Sequence, residues 1–321
     1  MYPFRNVLFP TDFSPHARAA LKYAAAFARQ GDGRLIILSV QEGSVPANLL
    51  SLPERALEEE GKEWLKTLRR NIQALLADPL LQGVETDTII VEGDPAPEIA
   101  RAARDLHAGL ITVATHGRKG LARVLFGSTA EEIIAEAPCP VLSVRPPQHD
   151  FVEHKGGRTE IHLNRILLAT DFRPVTEAAA RLAIEMARRT GAELHAIYVI
   201  GDIIDQLAEL LPDSGTQTLR DLRAFAQERM RRFARDAGLP VTPHIAEGRP
   251  YEEIIRLAME NDFDLIVAGT SVHPSLFGGA PALGQEIERI VRNAPCPVLC
   301  VPSGPVMTPA PAHISDPVPQ T

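Results

Sequence analysis

Cysteine is scarce. The three present (Cys139, Cys296 and Cys300) are an odd number without paired metal-ligand spacing, because an apolar Pro-Val-Leu stretch separates the last two. That argues against a disulfide scaffold and against a structural zinc site. A surplus of positive charge is missing too: 33 Lys and Arg stand against 41 Asp and Glu, a net charge of −8. Binding along a phosphate backbone needs a concentrated basic surface, so no nucleic-acid partner is expected, although a small anion in a local pocket stays open. Nor does any run reach the roughly 18 apolar residues that span a bilayer. The opening MYPFRNVLFPTDF has no basic segment followed by a long apolar core, so the expectations are no membrane insertion and a cytoplasmic location.

What is there is the composition of a soluble globular protein, 45% hydrophobic and 23% charged, over 321 residues. That length accommodates two folding units, each able to bury its own core. Comparison of the chain with itself supports two. Thr11-Asp12-Phe13 returns as Thr170-Asp171-Phe172, Glu92-Gly93-Asp94-Pro95 as Glu247-Gly248-Arg249-Pro250, and Ala137-Pro138-Cys139-Pro140-Val141-Leu142 as Ala294-Pro295-Cys296-Pro297-Val298-Leu299. The offsets of 159, 155 and 157 residues are those of a duplicated domain with small insertions.

Each half alternates short apolar runs with amphipathic segments, the pattern of a mostly parallel sheet covered by helices on both faces. In the first repeat the spacing predicts strands near 5–10, 34–41, 84–91, 109–115 and 140–145, and helices over 15–30, 52–77, 96–107 and 128–136. Runs such as LIILSV and LITVAT lack polar alternation, as strands buried on both sides do. Ser14-Pro15 and Asp94-Pro95 read as helix N-caps with a first-turn proline, and Gly31 as a helix-ending C′ glycine. Leu68, Ile72, Leu75 and Leu76 belong to an apolar stripe in the helix that also carries Trp64. The second repeat repeats the order, with strands near 165–170, 193–200, 241–246, 264–269 and 297–301. The division is a first domain over 1–146, a linker over 147–163, a second domain over 164–302, and a proline-rich tail over 303–321 expected to be disordered.

In an open parallel sheet a ligand sits at the carboxyl ends of the strands, where strand order reverses. Two first-repeat loops should meet there: Pro10-Thr11-Asp12, and the stretch from Ala114 through His116, Gly117, Arg118, Lys119 and Gly120 to Gly127, Ser128 and Thr129. The second has phosphate-cradle chemistry. Glycines let backbone N–H groups approach an anion, and hydroxyls at a helix N-terminus add donors to the partial positive charge there.

The segment ATHGRKGLARVLFGSTAEEIIAEAPCPVLSV resembles the carboxyl-terminal signature of the universal stress protein family. Nucleotide-binding members carry Gly, two residues, Gly, nine residues, then Gly followed by Ser or Thr; here Ala114, Gly117, Gly127 and Ser128 keep the spacing and two of the three glycines. With the Pro-Thr-Asp front and the Ala-Pro-Cys-Pro strand, the resemblance covers each repeat nearly end to end. It implies two tandem open-twisted five-stranded parallel-sheet domains of the Rossmann-like, adenine nucleotide alpha hydrolase-like kind. It further implies that Asp12 and the backbone at Val40 meet adenine and that Ala114 lies beside the ribose. Gly117, Gly127, Ser128 and Thr129 would hold the phosphates of ATP, with Mg²⁺ or Mn²⁺ carried mainly by phosphate oxygens. A regulatory role in stress response through an unknown protein partner, no catalysis or a very slow ATPase, an intrachain pseudo-dimer of the repeats and a homodimer of chains complete what the resemblance implies.

Other readings stand beside these. Asp12 and Asp171 could cap the helices that follow them. His116 reads as a loop histidine near phosphate rather than a catalyst, since no carboxylate or nucleophile is arranged around it. Arg118, Lys119 and Arg123 either screen phosphate or are solvated charges. The alanine at 114 matters if that position needs positive φ or close approach. In the second repeat Val272 replaces the second glycine, eleven residues separate it from Gly284, and Gln285 follows; poor nucleotide binding is expected there. The alternatives to a nucleotide-binding regulator are an enzyme of ATPase or adenylyl-transfer type and a nucleotide-free scaffold or small-ligand carrier.

Overall fold

The computed structural model describes residues 4–41, 66–115, 127–145, 149–155, 157–201, 212–273 and 282–303. The first repeat runs β1 (Asn6–Pro10), α1 (Pro15–Gln30), β2 (Arg34–Gln41), α2 (helical over 66–76), β3 (Thr86–Glu92), α3 (Pro95–Asp105), β4 (Leu110–Ala114), α4 (Ser128–Glu136) and β5 (Val141–Val144). A hairpin follows, β6 (Val152–Lys155) and β7 (Arg158–Ile161). The second repeat runs β8 (Arg165–Ala169), α5 (Pro174–Thr190), β9 (Glu193–Gly201), α6 (Pro212–Asp236), β10 (Val241–Gly248), α7 (Pro250–Glu260), β11 (Leu265–Thr270), β12 (Val272–His273), β13 (Ala282–Leu283), α8 (Gln285–Asn293) and β14 (Val298–Pro302).

Ten strands form one sheet in the order β10-β9-β8-β11-β14-β5-β4-β1-β2-β3. Within each half the five strands are parallel, in the doubly wound arrangement whose order reverses between β1 and β4, and again between β8 and β11. The halves meet antiparallel at β5 and β14, with Leu142 opposite its own counterpart Leu299. A local two-fold axis therefore passes through that pair of leucines.

Burial explains why these runs became strands. Leu35, Ile36, Ile37 and Leu38 of β2 are all inaccessible, which only a sheet covered on both faces allows. One core cluster lies under α1 and α5 and the other under α3, α4, α7 and α8, and each draws side chains from both repeats. Alanine makes the α1 side close: Ala20, Ala24, Ala25, Ala26 and Ala28 leave no accessible surface, so the helix backbone sits near the strands. Leu68 follows the apolar stripe read for α2, whereas Leu76 is 45% exposed.

The caps separate two sequence signals that looked alike. Ser14 Oγ accepts from the Ala17 amide at 3.2 Å and caps α1, while Asp94 precedes α3 without a side-chain cap bond. Gly31 is not the left-handed C′ residue its position suggested. Its φ is −80°, and its need is for space, because a Cβ would fall 2.0 Å from the Phe4 carbonyl oxygen. The left-handed position belongs to Asp32, at φ 50°. In the second repeat Gly191 does end α5 in the left-handed region, at φ 75°.

The stretch read as linker, 147–163, contains the β6–β7 hairpin, folded onto α1 of the first repeat. Phe151 is buried edge-on against Tyr23 at 4.9 Å and Phe27 at 6.3 Å between ring centroids. Asp150 Oδ1 accepts from Tyr23 Oη at 2.8 Å, and Lys22 pairs with the same carboxylate. Burial, reinforced by Asp150, raises the Tyr23 hydroxyl well above its ordinary range. On the other side His149 Nε2 lies 2.9 Å from Asp262 Oδ1, and the Arg145 guanidinium donates to the carbonyls of Arg292 and Ala294 at the end of α8. The connection is thus bonded to both repeats. Of the proline-rich tail, only Ser303 falls within the described residues.

Candidate functional site

At the carboxyl end of β1 the chain turns through Pro10, Thr11 and Asp12 before α1. The Thr11 amide donates to Leu38 O at 2.9 Å, which ties the turn to β2 just before Val40. Thr11 Oγ1 accepts from the Phe13 amide at 3.0 Å and Asp12 Oδ1 from the Ser14 amide at 2.9 Å. Both bonds hold Phe13 at φ 59°, a conformation that costs a bulky side chain strain. Asp12 therefore stabilises the turn, and the cap proper is Ser14.

On the neighbouring strand β4 ends at Ala114. Its backbone is ordinary strand, outside the left-handed region, and its methyl packs against the α1-side core. The concern that position 114 needs positive φ is removed. Close approach is the issue at its counterpart: strand register places Ala114 opposite Val144 and Gly269 opposite Val301, and a Cβ on Gly269 would lie 2.8 Å from Val175 O.

Thr115, part of the stretch read from sequence but not among its candidate ligand residues, is buried and joins β4 to the start of α4. Its amide donates to Val144 O at 3.0 Å, and its carbonyl accepts from the Gly127 amide at 2.9 Å. Thr115 and Gly127, on either side of 116–126, are thus held together. His116, Gly117, Arg118, Lys119 and Arg123 lie outside the described residues. Only the Thr-His-Gly stretch hinted at Thr115, and a buried backbone clamp leaves no signature in residue type.

Gly127 is the N-cap of α4 and offers no side chain to the first turn; Ser128 and Thr129 stand exposed at that end. Gly127 thus gives the first-turn amides no side-chain cap bond, and two exposed hydroxyl residues stand at the positive end of the helix dipole, the chemistry an anion site uses. Val40 sits near the end of β2, partly buried against the other core, its backbone paired with Val91. Pro10, Thr11, Asp12, Val40, Ala114, Gly127, Ser128 and Thr129 are thus assembled at one end of the sheet, around the point where strand order reverses. Burial, and then Glu288 of the second repeat, raise the carboxyl of Glu131 in the first turn of α4.

The second repeat departs from this geometry. Asp171 Oδ1 accepts from the Arg173 amide at 3.0 Å and from Thr176 Oγ1 at 3.2 Å, and its other oxygen pairs with the Arg173 guanidinium. At the matching place the first repeat has the uncharged Ser14. The helix end has changed as well: Gln285 and Glu286 replace the two hydroxyl residues, and Glu286 and Glu288 put two carboxylates in the first turn. Negative charge at a helix N-terminus competes with a bound anion.

The three cysteines are all buried, and burial pushes the Cys139 thiol up to about 12 and the other two higher still, so none is a ready nucleophile. Among the described residues no cluster of three His, Cys, Asp or Glu side chains could hold a metal, and no helix is long and apolar enough to cross a membrane.

Comparison with known proteins agrees with the duplicated architecture. Universal stress protein MJ0531 of Methanocaldococcus jannaschii is 34% identical over 152 residues, covering 46% of this chain and 85% of its own. A universal stress protein of Thermus aquaticus is 32% identical over 144 residues, covering 44% of this chain and 99% of its own. Among solved structures, a universal stress protein from Archaeoglobus fulgidus superposes with a TM-score of 0.60 at 24% identity, covering 93% of this chain and 98% of that one. The pattern of the universal stress protein family matches residues 3–145 and, a second time, residues 162–302. The chain belongs to the universal stress protein family and carries two of its domains in tandem.

Proposed function

We propose that the first repeat binds ATP and that occupancy of this pocket regulates contact with a protein partner in stress response, with no catalysis or only very slow hydrolysis. The observation that carries the reading is the convergence of the Asp12 turn, the end of β4 and the N-terminus of α4, where Gly127 offers no side-chain cap, at the strand-order reversal. In this reading Asp12 and the Val40 backbone meet adenine, Ala114 lies beside the ribose, and Gly127, Ser128 and Thr129 hold phosphate together with His116, Gly117 and Arg118. Mg²⁺ or Mn²⁺ would be held by the phosphates, whose charge it offsets. The second repeat, its aspartate closed by Arg173 and its helix end acidic, is the non-binding partner. A cytoplasmic location and pairing of two chains belong to the same proposal.

The test is calorimetric titration of nucleotide-stripped protein with ATP and Mg²⁺, beside Gly127→Asp. About one site per chain, lost in a variant whose circular dichroism is unchanged, is the expected result. Absence of binding to the unaltered protein overturns the reading.

A further inference from the structure

The second repeat keeps the Thr-Asp-Phe turn but attaches it to a different surface. Phe172, at φ 58°, has its ring flat on Tyr198 with centroids 5.6 Å apart and tilted against Phe233 at 6.3 Å. Its carbonyl accepts from Arg229 of α6 at 2.9 Å. The Arg229 guanidinium lies 5.5 Å from the Phe172 ring centroid and 5.7 Å from that of Phe225, a phenylalanine left 52% exposed. Beside this stack, between α5 and α6, opens a cleft of about 290 Å³ with Phe172, Phe233 and Ala180 as its apolar lining.

The charges around the cleft are nearly all matched. Arg173 pairs with Asp171, Arg232 with Asp236 at 3.6 Å, and Glu177 with Arg181 at 3.5 Å. Arg229 pairs with no carboxylate among the described residues. A guanidinium lying over aromatic rings has further N–H groups to offer, and among the described residues only the Phe172 carbonyl takes one of them. An aromatic wall, a fixed planar cation and a volume near the lower end of small-molecule pockets, about 300 Å³, form a complementary set.

We propose that this cleft binds a small, flat aromatic carboxylate, its ring against Phe172 and Phe233 and its carboxylate on the edge of Arg229. The site is separate from the crevice of the first repeat and does not depend on nucleotide there. Titrate the full chain with naphthalene-2-carboxylate and with the uncharged 2-naphthalenemethanol, then repeat the acid titration on Arg229→Gln, Arg229→Lys and Gly127→Asp.

One saturable site is expected for the acid, weakened at least tenfold for the alcohol and for Arg229→Gln. Arg229→Lys, which keeps the charge but loses the fork, falls between, and Gly127→Asp leaves binding unchanged. No saturable binding of the acid, or equal binding of acid and alcohol, overturns the proposal. The acid–alcohol comparison on the unaltered protein decides between these outcomes even if a variant fails to fold.

Discussion

Nδ1 of His195 stands 2.9 Å from Nε2 of His244, the two rings stacked across β9 and β10 with centroids 5.2 Å apart. A hydrogen bond between two imidazole nitrogens needs one donor and one acceptor, so at least one of the rings is neutral. Burial is the main cause that lowers both histidines below their ordinary value. For His195 it outweighs the opposing pull of Glu193, and for His244 the charge of His195 adds to it. Phe263 packs edge-to-face with His195, ring centroids 4.8 Å apart.

Stability follows with a definite sign. Well above about pH 6.5 both histidines are neutral folded or unfolded, and the pair costs nothing. As pH falls below that value the unfolded chain takes up protons that the folded chain resists, so stability drops through the lowered folded pKa values. The melting temperature should fall between pH 7 and pH 5, and His244→Gln should flatten part of that slope. An unchanged slope in the variant would remove the pair from the account.

The hairpin after β5 is predicted to be a stability element. Replacing Phe151 by alanine empties a buried ring site between Tyr23 and Phe27 and should cost about 3–5 kcal/mol, as large-to-small core substitutions of phenylalanine do. Urea unfolding measures it. A loss under about 1 kcal/mol, the level of a surface change, would mean that the hairpin rests on the first repeat without supporting it.

The two cap signals should separate in the same experiment. Ser14→Ala removes the acceptor for the Ala17 amide and should cost about 1 kcal/mol. Asp94→Ala removes no side-chain cap bond and should cost well under that amount, leaving only its weak interaction with the helix end. Equal losses would contradict the assignment.

How far the sequence could be read follows from these particulars. Strands such as Leu35–Leu38 were legible because burial on both faces writes an unbroken apolar run, and α1 because alanine spacing and Ser14-Pro15 mark its body and start. The hairpin was not, since VEHK and RTEI are short and half charged, and their two apolar side chains, Val152 and Ile161, hold the core together with Phe151 just outside them. Gly31 shows a second limit: residue type announced a glycine requirement, but only tertiary contact with Phe4 shows that the requirement is room. At the site, Thr-Asp and Gly-Ser-Thr were legible as chemistry, whereas the Thr115 clamp and the closing of Asp171 by Arg173 depend on contacts that no spacing encodes.

The antiparallel seam at Leu142 and Leu299 has a corollary for how the two repeats came to differ. Each half ends in nearly the same strand, so separated halves would present matching edges and could pair like with like as readily as first with second. Covalent connection decides the competition, because a short tether raises the effective concentration of the mixed pair to the millimolar range. Every molecule then holds one copy of each. Under that fixed stoichiometry the second copy can lose its helix-end hydroxyls and fill its aspartate with Arg173 while the first still receives a complete structural partner.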